Sequence, residues 1–293
     1  MLSLVIAPTV DSSPATLESS PRAVNVWRTL DGELCAFAGS EGGEHWLQVP
    51  RIATFRFSAR GDVVTAIPHA PAQPDRIRRV FDHSVLPLTL QALGQEGLHA
   101  SAVLTRNGVA AFCGKAHTGK STLAFALNQR GFRQWSDDSL VWDLEHARPT
   151  AISLPFDVRL RPESRSYFGA GPDAAERSPH ITRRPVAALF VLNRAGVDPN
   201  VPRVVIERLA GGQALTTLLD HAHCFNPHDA LRKRQMMVNY LTLVALVPVF
   251  EIRFQPSLTL LPRLVDTVIA ALDAPDGPAG SALEPALETT AAI

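Results

Sequence analysis

The sequence predicts a mixed α/β chain in two parts: a small N-terminal β-rich module, then a larger domain in which strands and helices alternate. Three observations carry that prediction. Short alternating or β-branched runs, separated by Asp-Gly and Gly-Gly pairs, fill residues 23–67. Beyond residue 85, apolar strand-like runs alternate with segments of helical periodicity. Within that second part, residues 109–130 read as an apolar strand, a glycine-rich turn and an amphipathic helix in direct succession.

Composition bounds the function. With 293 residues, 46% of them hydrophobic, the chain is long enough to bury a substantial core, as one large or two small domains. Its 28 Lys and Arg balance 28 Asp and Glu, which argues against a nucleic-acid partner, since such binders carry a basic excess on one face. No uninterrupted apolar run approaches the roughly 20 residues that span a bilayer, so no membrane association is expected. Cys35, Cys113 and Cys224 are widely separated and form no CxxC pair, which indicates neither a disulfide framework nor a zinc site. The briefly apolar first ten residues have no basic region before them and run into Asp11, a poor secretory signal. A cytoplasmic protein with reduced thiols is expected.

Taken in order, residues 23–27, 52–57 and 63–67 read as strands, and the Asp31-Gly32, Gly42-Gly43 and Gly61-Asp62 pairs punctuate hairpins, so the first module is expected to be antiparallel. Residues 69–74 form a Pro-containing break, and residues 86–93 a compact helical pattern ending at Gly94; the join is placed near residue 85. Strands at 100–104 and 109–113 flank the turn Arg106-Asn107-Gly108, and a helix over 121–130 stops at Gly131. Further strands are expected at 132–135, 140–142, 186–192, 203–206 and 249–254, with helices over 213–222, 230–246 and 258–272. From Ala274 onward the chain is rich in Ala, Pro, Gly and Thr, the composition of a flexible tail. The division is therefore 1–85, 86–273 and 274–293.

The segment Gly114-Lys115-Ala116-His117-Thr118-Gly119-Lys120-Ser121 satisfies GxxxxGK[ST], the Walker A pattern, in the strand-to-helix context that marks a phosphate-binding P-loop. Glycines let backbone N–H groups wrap around anionic oxygens, and the helix N-terminus adds further donors. Lys120 is expected to reach the β- and γ-phosphates of ATP, and Ser121 to offer its hydroxyl to Mg²⁺; Thr122 extends the binding segment. Leu123, Ala124 and Leu127 are core positions. Neither the NKxD motif of GTPases nor an apolar strand ending in Asp-Glu is present. Leu209-Ala210-Gly211-Gly212-Gln213 has the look of the ABC-ATPase signature, but a Gly-Gly turn opening a helix accounts for it.

Carboxylates must then come from elsewhere. Asp137 and Asp138 end the strand after the loop helix, and in open α/β sheets ligands gather at the carboxyl ends of strands. One can contact Mg²⁺ while the other accepts a proton from an incoming hydroxyl; neighbours on a strand point oppositely, so their roles should differ, and the sequence leaves open which is which. His99 opens the strand pair that leads into the loop, as a structural or a catalytic histidine. Arg159 and Arg161 alternate on an expected strand and Arg183-Arg184 precede the strand at 186; either pair could neutralise transition-state charge or lie at the surface. His221, His223, Cys224 and His228 show no recognised metal-ligand spacing.

Together, His99, Gly114 to Ser121, Arg130-Gly131 and Asp137-Asp138 resemble the catalytic domain of bacterial HPr kinase/phosphorylase. That family shows a His-small dipeptide opening a hairpin, then G-x-S-G-x-G-K-S, a helix ending in Arg-Gly, and a strand running into Asp-Asp. The intervals match as well, with fifteen positions from His99 to Gly114 and seventeen from Lys120 to Asp137. The resemblance covers residues 97–142. It implies a P-loop kinase core of the type shared with ATP-dependent phosphoenolpyruvate carboxykinase, using ATP and Mg²⁺ to phosphorylate a serine hydroxyl. By the same resemblance Lys120 and Ser121 hold phosphates and metal, His99 lies near the transferred group, and Asp137 and Asp138 supply base and metal contact. The loop here has Lys115 and His117, and Thr118 stands before the second Gly, so the γ-phosphate surroundings differ from the family's, and the downstream signature with its Asn and paired Arg is absent. The implied relative is a diverged HPr-kinase-related group, some of whose members phosphorylate a serine on a peptide.

The leading expectation is an ATP- and Mg-dependent phosphotransferase acting on a hydroxyl of a peptide, protein or small molecule. The alternative is a non-catalytic nucleotide-binding module that recognises a partner protein. The sequence is compatible with a homo-oligomer.

Overall fold

The computed structural model describes residues 2–8, 23–28, 31–69, 72–170, 182–194 and 204–274, and within them the chain is mixed α/β with two sheets. The first sheet holds β1 (Ser3–Ile6), β2 (Ala23–Arg28), β3 (Leu34–Glu41), β4 (Glu44–Val49), β5 (Ala53–Ser58) and β6 (Val63–Pro68), in the order β1-β6-β5-β4-β3-β2. Strands β2 to β6 form an antiparallel meander, but β1 pairs in parallel with β6, from Ser3 opposite Val63 to Ile6 opposite Ala66. The expected purely antiparallel module is corrected on this point. The apolar N-terminal run is a strand: Leu4 and Ile6 pack against the core while Ser3 and Val5 face outward, the period of two that a half-buried strand requires.

A helical run follows, α1 (Pro74–Val80), a π-helical turn (Phe81–Val85) and α2 (Leu86–Ala92), so residue 85 lies inside continuous helix. Ile77, Phe81 and Val85 recur every four residues, which places them on one helix face against Phe55 and Val64 of the first sheet. Val141, Ile152, Leu154 and Phe225 join the same cluster, so apolar residues from both sides of residue 85 share one core.

The second sheet is built from β7 (Glu96–Leu98), β8 (Ala100–Thr105), β9 (Gly108–Cys113), β10 (Arg133–Ser136), β11 (Leu140–Glu145), β12 (Arg148–Ile152), β13 (Arg183–Arg194), β14 (Val204–Arg208) and β15 (Val249–Phe254). Its helices are α3 (Lys120–Asn128), α4 (Pro162–Phe168), α5 (Gly211–Leu219), α6 (Ala230–Leu246) and α7 (Leu261–Asp273), the last preceded by a 3-10 turn at Leu258–Leu260. Arg159 and Arg161 are not on a strand, as expected from their alternation, but in the irregular segment before α4. Pro155 cannot donate to a ladder, and Pro162 starts the helix at its first turn.

Strands β9, β13 and β15 are mutually parallel, β8 is antiparallel to β9, and β10 is antiparallel to β8. It follows that β9, β10, β13 and β15 all run the same way. Their carboxyl ends meet at one edge, where Gly114, Asp137, Arg194 and Phe254 lie. Helices α3 and α7 cover one face, with Leu123, Leu127, Leu264 and Val268 against a stacked row of Phe112, Phe190 and Phe250. The other face carries α5 and α6, where Tyr240 of α6 meets Trp142 of β11 edge to face at 5.3 Å.

The tail expected at 274–293 falls, beyond Ala274, outside the described residues. Among the described residues no helix is long and apolar enough to cross a membrane. The three cysteines are free, and burial pushes the Cys113 thiol up to about 12.

Candidate active site

The segment from β9 to α3 builds the site on close backbone packing. A Cβ at Gly114 would lie 2.6 Å from Thr118 Oγ1 and 3.1 Å from the Leu192 carbonyl oxygen, so only glycine fits there. Thr118 is buried and donates from Oγ1 to the Lys115 carbonyl at 2.9 Å, which folds the loop back on itself. Gly119, at φ 104°, is the N-cap of α3, whose first turn leaves backbone N–H groups without helical acceptors. Lys115, Ala116 and His117 form the exposed rim, and His117, left-handed at φ 72°, accepts at Nδ1 from Arg161. Thr122 Oγ1 bonds Ser164 Oγ at 2.9 Å, tying α3 to α4.

Lys120 is buried at the start of α3, and its Nζ reaches three acceptors: the Gly114 carbonyl at 2.9 Å, the Lys115 carbonyl at 3.1 Å and His99 Nε2 at 3.0 Å. Three acceptors match the three hydrogens of an ammonium, so Lys120 is charged although burial lowers its pKa. On the other side of the ring, His99 Nδ1 lies 3.0 Å from the Asp138 carbonyl oxygen. A carbonyl only accepts, so Nδ1 carries the proton and Nε2 offers its lone pair to Lys120. Burial first, then the Lys120 charge, lowers the His99 pKa, which keeps the ring neutral. The His99 main chain is anchored by an N–H bond to the His221 carbonyl at 2.7 Å.

The two aspartates diverge. Asp137 is buried; its Oδ1 accepts from Ser101 at 2.6 Å and Ser121 at 2.7 Å, and its Oδ2 from the Arg159 backbone N–H at 2.9 Å. Burial raises its pKa against those three hydrogen bonds. Asp138 turns out of the strand line at φ 66°, a left-handed conformation that aspartate tolerates better than most residues. Its carboxylate is half-exposed and pairs through Oδ2 with Arg159 Nη1 at 3.3 Å.

A cavity of about 530 Å³ opens over these groups. His99, Ala116 to Thr122, and Asp138 line it, joined by Arg159, Arg161 and Arg194; Gly114 and Asp137 are buried behind this lining, and Lys115 lies on the exposed rim outside it. Arg183 is elsewhere, paired with Asp143 and Glu145 at the far end of β13. Of the residues the sequence reading did not single out, Ser101 has the most direct part, since it fixes Asp137. Its one available signal is a hydroxyl two positions after His99, set among the apolar residues Ala100, Ala102 and Val103.

No protein-family model matches the sequence, and no curated protein matches it. The chain is similar to the structure of the Hpr(Ser) kinase/phosphatase from Coxiella burnetii, at 18% sequence identity over 59% of this chain and 87% of that one, with a TM-score of 0.32.

The donor set suits a hard cation beside an anionic ligand. Ser121 and Asp138 present oxygens to the cavity, and Asp137 holds the Ser121 hydroxyl in place. Among the described residues no group of three or more His, Cys, Asp or Glu forms a closed metal cage. A serine hydroxyl and a carboxylate facing the cavity beside an anion-binding loop fit Mg²⁺, which is ordinarily held by one or two carboxylates plus substrate phosphates.

Proposed function

We propose that the protein is a nucleoside-triphosphate-dependent phosphotransferase of the HPr-kinase-related P-loop type, acting on a hydroxyl acceptor. The observation that carries this reading is the chain of contacts from the loop lysine through His99 to Asp138: Lys120 Nζ to His99 Nε2, and His99 Nδ1 to the Asp138 carbonyl. A phosphate clamp and a carboxylate facing the same cavity are what phosphoryl transfer needs, whereas nucleotide binding alone needs no base.

In this reading the loop backbone and Lys120 hold the β- and γ-phosphates, and ATP is the donor. Ser121 would hold Mg²⁺ with the phosphates, and the ion would neutralise phosphate charge. Asp138 accepts the acceptor's hydroxyl proton while the acceptor oxygen bonds Pγ and the bond from Pγ to the β,γ-bridging oxygen breaks, leaving the nucleoside diphosphate. Asp137, held by three donors, positions Ser121. Arg159 and Arg161 face the cavity beside Asp138 and supply in-cis positive charge for the transferring group. Of the described lining residues, Lys120, Arg159, Arg161 and Arg194 oppose Asp138 and Glu163, a net charge of +2 that complements a Mg-bound triphosphate.

Calorimetric titration with a non-hydrolysable ATP analogue tests the reading. Mg-dependent binding is expected, weakened about tenfold or more in Lys120→Ala, the scale of losing a hydrogen bond to a charged group. Equal affinity in parent and variant would remove the assignment.

A further inference from the structure

The cavity over the loop has two chemically distinct ends. One is the polar end already described. The other is an apolar wall made by Val204, Phe254, Leu258, Leu260, Leu261 and Leu264, contributed by the start of β14, the carboxyl end of β15, the 3-10 turn and the first turns of α7. Within the wall, Phe254, Leu261 and Leu264 belong to the buried core, with Leu258 packed partly against it. Leu260 is half-buried and lines the cavity outside that cluster. The wall is thus continuous with the sheet edge that carries the loop, and the single volume of about 530 Å³ lies within the range of about 300–1,000 Å³ occupied by small-molecule sites.

We infer that this wall is the nucleobase subsite: the flat ring of the nucleoside lies on the apolar surface of the 3-10 turn and the start of α7, while its triphosphate lies on the loop. The inference rests on the phosphate-loop reading and adds the part of the ligand that reading leaves unplaced. A triphosphate on the loop is covalently tied to its nucleoside, which is therefore held near the loop, and the apolar wall belongs to the same cavity. The polar end offers charged donors suited to phosphate; the opposite wall offers aliphatic and aromatic carbon suited to a ring face.

Tripolyphosphate separates the two claims, because it carries the phosphates without the ring. In the full chain with Mg²⁺, the ATP analogue should bind about tenfold or more tightly than tripolyphosphate, the gain that burying roughly 60 Å² of apolar surface supplies. Leu260→Gln and Leu258→Gln should reduce that ratio toward one while tripolyphosphate affinity stays at the parent value, which also reports that the loop is folded. In the parent protein, the analogue but not tripolyphosphate should slow amide hydrogen exchange at residues 257–261. Equal affinity for the two ligands, with no added protection at 257–261, overturns the subsite and leaves the phosphate loop standing. Binding of neither ligand overturns the phosphate-loop reading and the subsite with it. Variants that alter acceptor KM but not the ratio overturn the subsite and give the wall to the acceptor.

Discussion

The ammonium of Lys120 donates to Nε2 of His99 at 3.0 Å, and this bond fixes the protonation of both residues. Since the other ring nitrogen donates to the Asp138 carbonyl, protonating His99 would turn Nε2 from acceptor to donor and set two positive charges against each other. Phosphate binding to Lys120 would offset its charge and relieve the coulombic part of that penalty. Nucleotide binding is therefore expected to raise the His99 pKa, followed as the ring proton shifts of His99 by NMR with and without the ATP analogue. An unchanged titration would uncouple the two residues.

For turnover, His99→Ala should lower kcat more than it raises KM for the nucleotide, because a contact made chiefly in the transition state appears in kcat. Full activity combined with a lower melting temperature would make the histidine structural only.

His223 lies beneath this assembly, with Nε2 3.1 Å from Ser139 Oγ, and burial lowers its pKa to about 4. Unfolded, it would take up a proton near pH 6.5. Between these values the unfolded chain binds more protons, so the stability contribution is present at neutral pH and is lost as pH falls from about 6.5 toward about 4. At full extent the shift corresponds to about 3 kcal/mol. Urea midpoints measured across that window should fall more steeply for the parent than for His223→Gln. Parallel slopes would refute the assignment to His223.

Much of this architecture is legible in the sequence where a local rule applies. The turn at Arg106-Asn107-Gly108, the helix over Ala230–Leu246 and the strand at Val249–Phe254 follow from turn chemistry and periodicity. Elements held by tertiary contacts are less visible. Strand β7 has three residues and owes its place to pairing with β11 and to Tyr240, whose hydroxyl donates to the Gly97 carbonyl at 2.8 Å. Strand β1 needs β6, more than fifty residues away, to be a strand. In the site, the Walker A pattern and the Asp pair could be read directly, but not the different surroundings of Asp137 and Asp138. Those depend on Ser101, brought across by β8, and on Arg159, in a segment without regular structure.

The support for β7 also makes a stability prediction. Glu96 is fully buried and accepts at Oε1 from Arg232 at 2.8 Å and from Asn239 at 2.7 Å, which ties the strand leading to His99 onto α6. Arg232→Ala should destabilise the fold by about 3–5 kcal/mol, since it leaves a buried carboxylate without its counter-charge. Chemical denaturation measures this directly, and Glu96→Gln in the Arg232→Ala background should recover part of the loss. A loss under about 1 kcal/mol would place the pair among weak surface ion pairs.

Asp138 carries the central claim, and transfer of labelled γ-phosphate is its most direct test. Parent protein, Asp137→Asn and Asp138→Asn are incubated with γ-labelled ATP, Mg²⁺ and a cell extract or peptide set, with phosphoserine read by mass spectrometry and ATP-analogue affinity measured in parallel. The parent should label an acceptor; Asp138→Asn should retain nucleotide affinity while transfer falls on the order of 10²- to 10⁴-fold. Labelling by Asp138→Asn at the parent rate, or a parent that binds ATP tightly yet labels nothing while its affinity for a partner protein changes, would contradict the account.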